Sequence, residues 1–248
     1  MNDSARLAQE LSVQDHVAEF YESVRYRVPW ARQYHDWLFQ RMIDRLQPVG
    51  RILDAGCGNG WLGNYLPKER LWGVDISSEM VELAATRLGD ARVGDVQKLP
   101  YDSNCFDSIF ARSVIHHLQD PAQGMAELYR VLKPGGRIIL LDTHENLLSR
   151  LPRKRMRDSE HFSVLHQNMN ARAYRRLIER WFTITSWEYI GFLGYAILGF
   201  PDIFNGYRFV PAKGLFTPLL IRLDDVAASI PIFKRLALGI LAVGSKSG

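Results

Sequence analysis

The stretch LDAGCGNGWLG, Leu53 to Gly63, places glycine at positions 56, 58, 60 and 63 directly behind an apolar run. A loop with so few Cβ atoms can take backbone angles closed to other residues and lets something approach it closely. On its own such a loop is also compatible with a plain turn from a strand into a helix. Its meaning therefore depends on what surrounds it.

From Arg51 to Asp142 short apolar runs alternate with longer amphipathic ones, the rhythm of βαβ units around a parallel sheet. The strand candidates are RILDAG, RLWGVDIS, ARVGD, FDSIFARS and GGRIILLD. Between them, Ser77 to Gly89 begins with serine caps, carries acids in its first turn and ends at glycine, which reads as a helix. Asp120 and Pro121 suit the cap and first position of a second helix, stopped by Lys133-Pro134-Gly135-Gly136. Residues 12 to 46 show a helical period through Trp30, Tyr34, Trp37, Leu38 and Met42, broken at Pro29. That stripe is expected to face the core, with a lid over the site as the alternative.

The glycine loop would then lie between a strand and a helix, where open α/β sheets bind ligands beyond the carboxyl ends of their strands. The dinucleotide fingerprint G-x-G-x-x-G fails here, because Trp61 stands where its third glycine belongs. Asp75, in GVDIS, follows Asp54 at the distance at which an acid can accept both hydroxyls of a ribose. Asp95, in GDVQKLP, ends the third strand, where a carboxylate can accept from an exocyclic amine such as that of adenine. Three acids at successive strand ends describe a pocket for an adenosine that carries something small and not strongly anionic.

Five motifs in order, LDAGCGNG, GVDIS, GDVQKLP, FDSIFARSVIHHLQDP and LKPGGRIILLD, make residues 45 to 145 resemble a class I S-adenosylmethionine-dependent methyltransferase of the small-molecule type. The resemblance implies a Rossmann-like α/β fold. Its seven-stranded sheet would be mostly parallel with the last strand antiparallel, with helices on both faces and a helical lid. FTITSWEYIGF and LAVGSK can supply the final antiparallel pair. It also implies S-adenosylmethionine as cofactor. The backbone of Gly56 and Gly58, in a loop with Cys57 and Gly60, would approach the methionine part while Asp54 organises the loop. Asp75, followed by Ile76, would hold the ribose, and Asp95 with Val96 would flank the adenine. Arg112 and Ser113 would line the floor and face the methyl group.

A sulfonium activates its own methyl group, so the protein must above all hold a nucleophile close and in line. A base is an aid rather than a necessity. Candidates are His116 and His117 after the fourth strand, His144 after the fifth, and Tyr21 or Tyr26 upstream. Each could equally cap a helix or pack in the core. The seven histidines lack metal-ligand spacing, so no metal is expected.

Residues 191 to 234, between the last two strands, are long for a connection and rich in Phe, Leu, Ile and Tyr. The division expected is an N-terminal helical segment at 1–48, a cofactor-binding core at 49–190, an apolar helical lid at 191–234 and a final core strand at 235–248. An apolar lid suits a hydrophobic or amphipathic acceptor such as an isoprenoid, a lipid-linked sugar or a secondary metabolite, although a core or dimer role fits the same composition. Oxygen is the favoured methylated atom, with nitrogen and carbon left open. The alternatives are a non-catalytic binding protein of the same fold, or methylation of a protein or nucleic acid.

The net charge of +4 is local. Residues 150 to 180 hold nine Lys or Arg against Asp158, Glu160 and Glu179, a local +6, which leaves −2 for the rest. The run RLPRKRMR, Arg150 to Arg157, has no interleaved aromatics, so nucleic acid is not the expected partner. Peripheral membrane contact through this run and the apolar lid stays open, as does a homodimer. Two cysteines, no secretion-signal pattern at the N-terminus and no apolar stretch of spanning length make the cytoplasm the expected location.

Overall fold

The computed structural model describes residues 22–23, 25–145, 169–199, 201 and 206–248. Tyr21 and the basic run at 150–157 lie outside the described residues. Seven strands form one sheet in the order β3-β2-β1-β4-β5-β7-β6. They are β1 (Ile52–Ala55), β2 (Leu71–Asp75), β3 (Asp90–Val93), β4 (Phe106–Arg112), β5 (Leu132–Thr143), β6 (Thr183–Ile190) and β7 (Gly239–Ser245). The pairs among β1 to β5 are parallel, whereas β7 runs antiparallel between β5 and β6. The order reverses at β1, whose neighbours are β2 and β4, so a crevice opens beyond its carboxyl end.

Helix α1 (Pro29–Leu46) starts at the proline that breaks the periodic pattern, a residue suited to the first helical position because its missing N–H has no partner to lose. The Tyr34, Leu38 and Met42 side chains of its stripe are buried in the core. Helix α2 (Ser78–Ala85) is capped by Ser77 Oγ, which accepts from Met80 N. Helix α3 (Pro121–Val131) is capped by Asp120, which accepts from Ala122 N and Gln123 N. Beyond β5, α4 (Ala171–Glu179) starts at Asn170 and packs beneath β6. The segment between β6 and β7 folds into α5 (Leu193–Leu198), a short turn at Gly206–Phe209 and α6 (Lys213–Ser229).

The structure departs from the expected elements in two places. The glycine loop leads not into a regular helix but into one tight turn, Trp61–Asn64, because Gly60 takes φ +72° and packs against the backbone of Ala84 in α2. A Cβ at Gly60 would meet Ala84 Cα at 2.9 Å. Helix α3 stops at Val131, ahead of the Lys-Pro-Gly-Gly sequence as expected, but strand pairing already begins at Leu132 and not at the glycines. The buried Lys246 Nζ completes that end, since it donates to Tyr129 O, Leu132 O and Asn104 Oδ1, taking up carbonyls at the helix end.

Candidate functional site

An open cleft lies at the carboxyl end of β1. It brings together Asp54, Gly56, Cys57 and Gly58 of the glycine loop with Arg112 and Ser113 after β4. Gly58 has φ +50°, and a Cβ built on it would meet nothing within 4 Å. Its missing side chain therefore leaves room on the cleft side and not for protein packing. The loop is held from below by Asp75, whose Oδ2 accepts from Gly58 N at 2.8 Å and whose Oδ1 accepts from Ser77 N at 3.1 Å. Each carboxylate oxygen keeps a further lone pair for a ligand.

The electrostatics of the loop side are set by burial of its acids, while Arg25 and Arg112 lie on the cleft lining. Burial, then the neighbouring Asp75, raises the Asp54 carboxyl from 3.8 to about 7, with Arg112 opposing. Burial likewise raises Asp75, against the N–H groups of Gly58, Ser77 and Ile76. The Cys57 thiol is pushed well up by burial and by both acids, which keeps it protonated and unreactive. Two buried acids of raised pKa beside a bare glycine backbone make a place for a cationic ligand.

The opposite wall comes from residues that the sequence reading did not single out, Tyr26 apart. Arg112 donates to Tyr26 Oη at 3.1 Å, meets His35 Nδ1 at 2.6 Å and lies over the Phe39 ring. The Gly199 carbonyl bonded to His35 Nε2 can only accept, so that nitrogen carries the proton and Nδ1 accepts from Arg112. Burial and the Arg112 and Arg25 guanidiniums hold this imidazole well below its usual range, consistent with a neutral ring. The Tyr26 ring stacks on Trp61 at 4.1 Å, while Glu22 ties the same segment to Arg87 and Asn59. Tyr195 of α5 completes the wall. His35 was hidden because it sits beside Tyr34 on the apolar stripe of α1, and a lone polar residue on such a stripe is the only trace it leaves in the sequence.

The remaining expected site residues do not line this cleft. Gly60 packs on α2, and Ile76 follows Asp75 at the end of β2. Asp95 accepts from Gln97 N and Gln97 Nε2 within its own loop, and Val96 is buried in the core. His116 is buried, with Nδ1 on Asp142 Oδ1 and its backbone N–H on Asp142 Oδ2, and its ring lies 4.1 Å from that of His117. His144 N donates to Leu238 O, and its ring meets Tyr189 edge-on. Among the described residues no group of three or more His, Cys, Asp or Glu could hold a metal ion.

Below α5, the buried Asp224 of α6 gathers four donors: Tyr34 Oη at 2.9 Å and the backbone N–H groups of Phe192, Gly194 and Tyr195. It neutralises the start of α5 and fixes the helix that carries Tyr195 to α1. Arg41 of α1 reinforces that junction through Glu188 of β6 and Asp225 of α6.

Residues 53–140 match the family model described as a methyltransferase domain. A demethylmenaquinone methyltransferase of Symbiobacterium thermophilum is 30% identical over 142 residues, covering 52% of this chain and 56% of the relative. A tRNA U34 carboxymethyltransferase of a Geobacter species is 31% identical over 118 residues, 42% of this chain and 36% of the relative. The chain thus spans about a third to a little over half the length of the curated relatives it matches. A SAM-dependent methyltransferase of Thermotoga maritima shares the fold with a TM-score of 0.65 at 19% identity, covering 95% of this chain and 99% of the other.

Proposed function

On the premise that residues 53–140 are a methyltransferase domain with the class I S-adenosylmethionine-dependent fold, we propose that this chain binds S-adenosylmethionine and methylates a hydrophobic or amphipathic small molecule. The observation that carries the reading is the open side of Gly58, set between Asp54 and Asp75 in a cleft whose far wall is aromatic. When bound, the cofactor supplies an electrophilic methyl group on a sulfonium cation. Asp54 and Asp75 suit that cation and the amine and hydroxyl donors of the same molecule, and the bare backbone at Gly58 lets it lie close. Asp95, at the end of the next strand, is assigned to the adenine.

The work of the protein is then to orient the acceptor and exclude water. Phe39, Trp61, Tyr26 and Tyr195 offer apolar surface for the acceptor, and Arg112, fixed between Tyr26 and His35, sets the floor. Tyr26 is the hydroxyl of this wall and is assigned the role of orienting an oxygen nucleophile by a hydrogen bond, the released proton passing to solvent. His116 is assigned a positioning role, since Asp142 holds its ring and backbone together at the end of β5. Helices α5 and α6 act as the lid.

The test is isothermal titration with S-adenosylhomocysteine of the full chain and its Asp75→Ala variant, with NADH as control. Micromolar binding by the parent and none by the variant supports the reading. Transfer of label from S-adenosylmethionine to an apolar acceptor then establishes the activity. Absence of binding in a folded parent protein overturns it, and transfer only to tRNA or protein overturns the acceptor class.

A further inference from the structure

The outer face of α6 has no partner among the described residues, and its chemistry says what would cover it. Leu215, Leu219, Leu223, Val226 and Ile230 recur at intervals of three or four and form one stripe along the helix, with Leu215 70% and Val226 55% exposed. The stripe is continued at one end by Phe209, 76% exposed, and at the other by Ile232, 73% exposed. Isolated apolar side chains on a surface need no explanation, but a contiguous row this long marks an interaction site.

Charge decides between occupants. Both acids of α6 are used by the protein: Asp224 is buried under α5 and Asp225 pairs with Arg41. Arg222 is exposed and lies beside the stripe, with no acid of the helix paired to it in an ion pair. Beyond the helix, Arg208 lies over the exposed Phe209 ring, and Lys234 follows Phe233. The face is therefore apolar with a border of Arg208, Arg222 and Lys234, and the partly exposed Asp225 at its flank is already paired with Arg41. A second copy of the chain would set such a border against itself, which like charges oppose. An anionic bilayer complements it, because apolar side chains enter the headgroup boundary while arginine and lysine meet the phosphates. No described helix is long and apolar enough to cross a membrane, so the contact is with the surface.

We propose that the outer face of α6, flanked by Phe209 and Ile232, docks the protein on the surface of an anionic lipid bilayer. The inference stands apart from the proposed chemistry. It adds that the same lid faces the acceptor site on one side, through Tyr195, and the lipid on the other, so that an apolar acceptor dissolved in the bilayer would need no aqueous transit.

The experiment is co-sedimentation of the full chain with vesicles of phosphatidylcholine alone and with added phosphatidylglycerol. The parent protein is expected to bind the mixed vesicles at least tenfold better than the neutral ones. Leu219→Asp with Leu223→Asp should abolish binding, and Arg222→Glu should weaken it about fivefold or more, as about 1 kcal/mol per cation implies. Unchanged circular dichroism and S-adenosylhomocysteine titration would show that the variants fold. Equal binding to neutral vesicles or no binding overturns the proposal. So does binding that survives the leucine changes but is lost when the basic run 150–157 is neutralised, or a lipid-free dimer that the leucine changes dissociate.

Discussion

The glycine loop and the segment between β6 and β7 both face the same cleft, yet they are built on opposite plans. The loop achieves its shape with short-range means: Gly58 and Gly60 take positive φ, and the Asp75 carboxylate holds the Gly58 amide from one strand away. The segment is held by side chains that find each other across great sequence distance, Tyr34 to Asp224 over 190 residues and His35 to Gly199 over 164. One site is written in a few adjacent letters. The other is distributed, and each of its parts reads in sequence as ordinary core.

This contrast can be broken at its strongest point first. Gly58→Val adds a side chain where the cleft is open, so the protein should fold, with a strained φ, and lose at least about a hundredfold in affinity for S-adenosylhomocysteine by titration, since 2.8 kcal/mol or so is a modest cost for strain plus occlusion. The distributed region should respond in stability instead. Asp224→Asn keeps the shape but replaces an acceptor of four hydrogen bonds by a half-donor, at a cost of about 2–4 kcal/mol in urea unfolding. Should Asp224→Asn abolish cofactor binding while leaving stability untouched, the division between the two regions fails.

A smaller effect sharpens the electrostatic side. The Asp54 carboxyl, raised from 3.8 to about 7, holds its proton in the folded state and loses it more readily when unfolded. Its contribution to stability is thus complete below pH 4 and fades as pH rises through 7. The ligand-free parent should lose more Tm between pH 5 and 8 than Asp54→Asn does, and affinity for S-adenosylmethionine, a cation, should rise over the same window. Least of all, Lys246→Met should cost about 1–3 kcal/mol in thermal unfolding by leaving helix-end carbonyls without their donor.

The parallel sheet, the caps at Ser77 and Asp120 and the grouping of Asp54, Gly56, Gly58, Arg112 and Ser113 were legible because each rests on local signals: alternation, a capping residue, a missing Cβ. The tight turn after Gly60 was not, since it depends on Ala84 of another element. Nor was the wall of His35, Phe39 and Tyr195, which lie on apolar stripes where nothing distinguishes a core ring from one that faces a ligand. The histidines chosen for their place after strand ends sit outside the cleft, because Asp142 and Tyr189 draw the His116 and His144 rings toward the sheet. Position after a strand locates a residue near the crevice but does not aim its side chain.

The place of β7 has a consequence for how the molecule is made. Strand β6 joins the sheet through β7 alone, and β7 is synthesised after it. A ribosome working at about 5–20 residues per second needs roughly 3 to 11 seconds to pass from the end of β6 to the end of β7. For that interval the nascent chain carries a strand with no ladder and an aromatic segment with no seat, and its β5 edge stays open. The newborn protein is therefore most vulnerable to mispairing, and most in need of a chaperone, between the synthesis of β6 and that of β7.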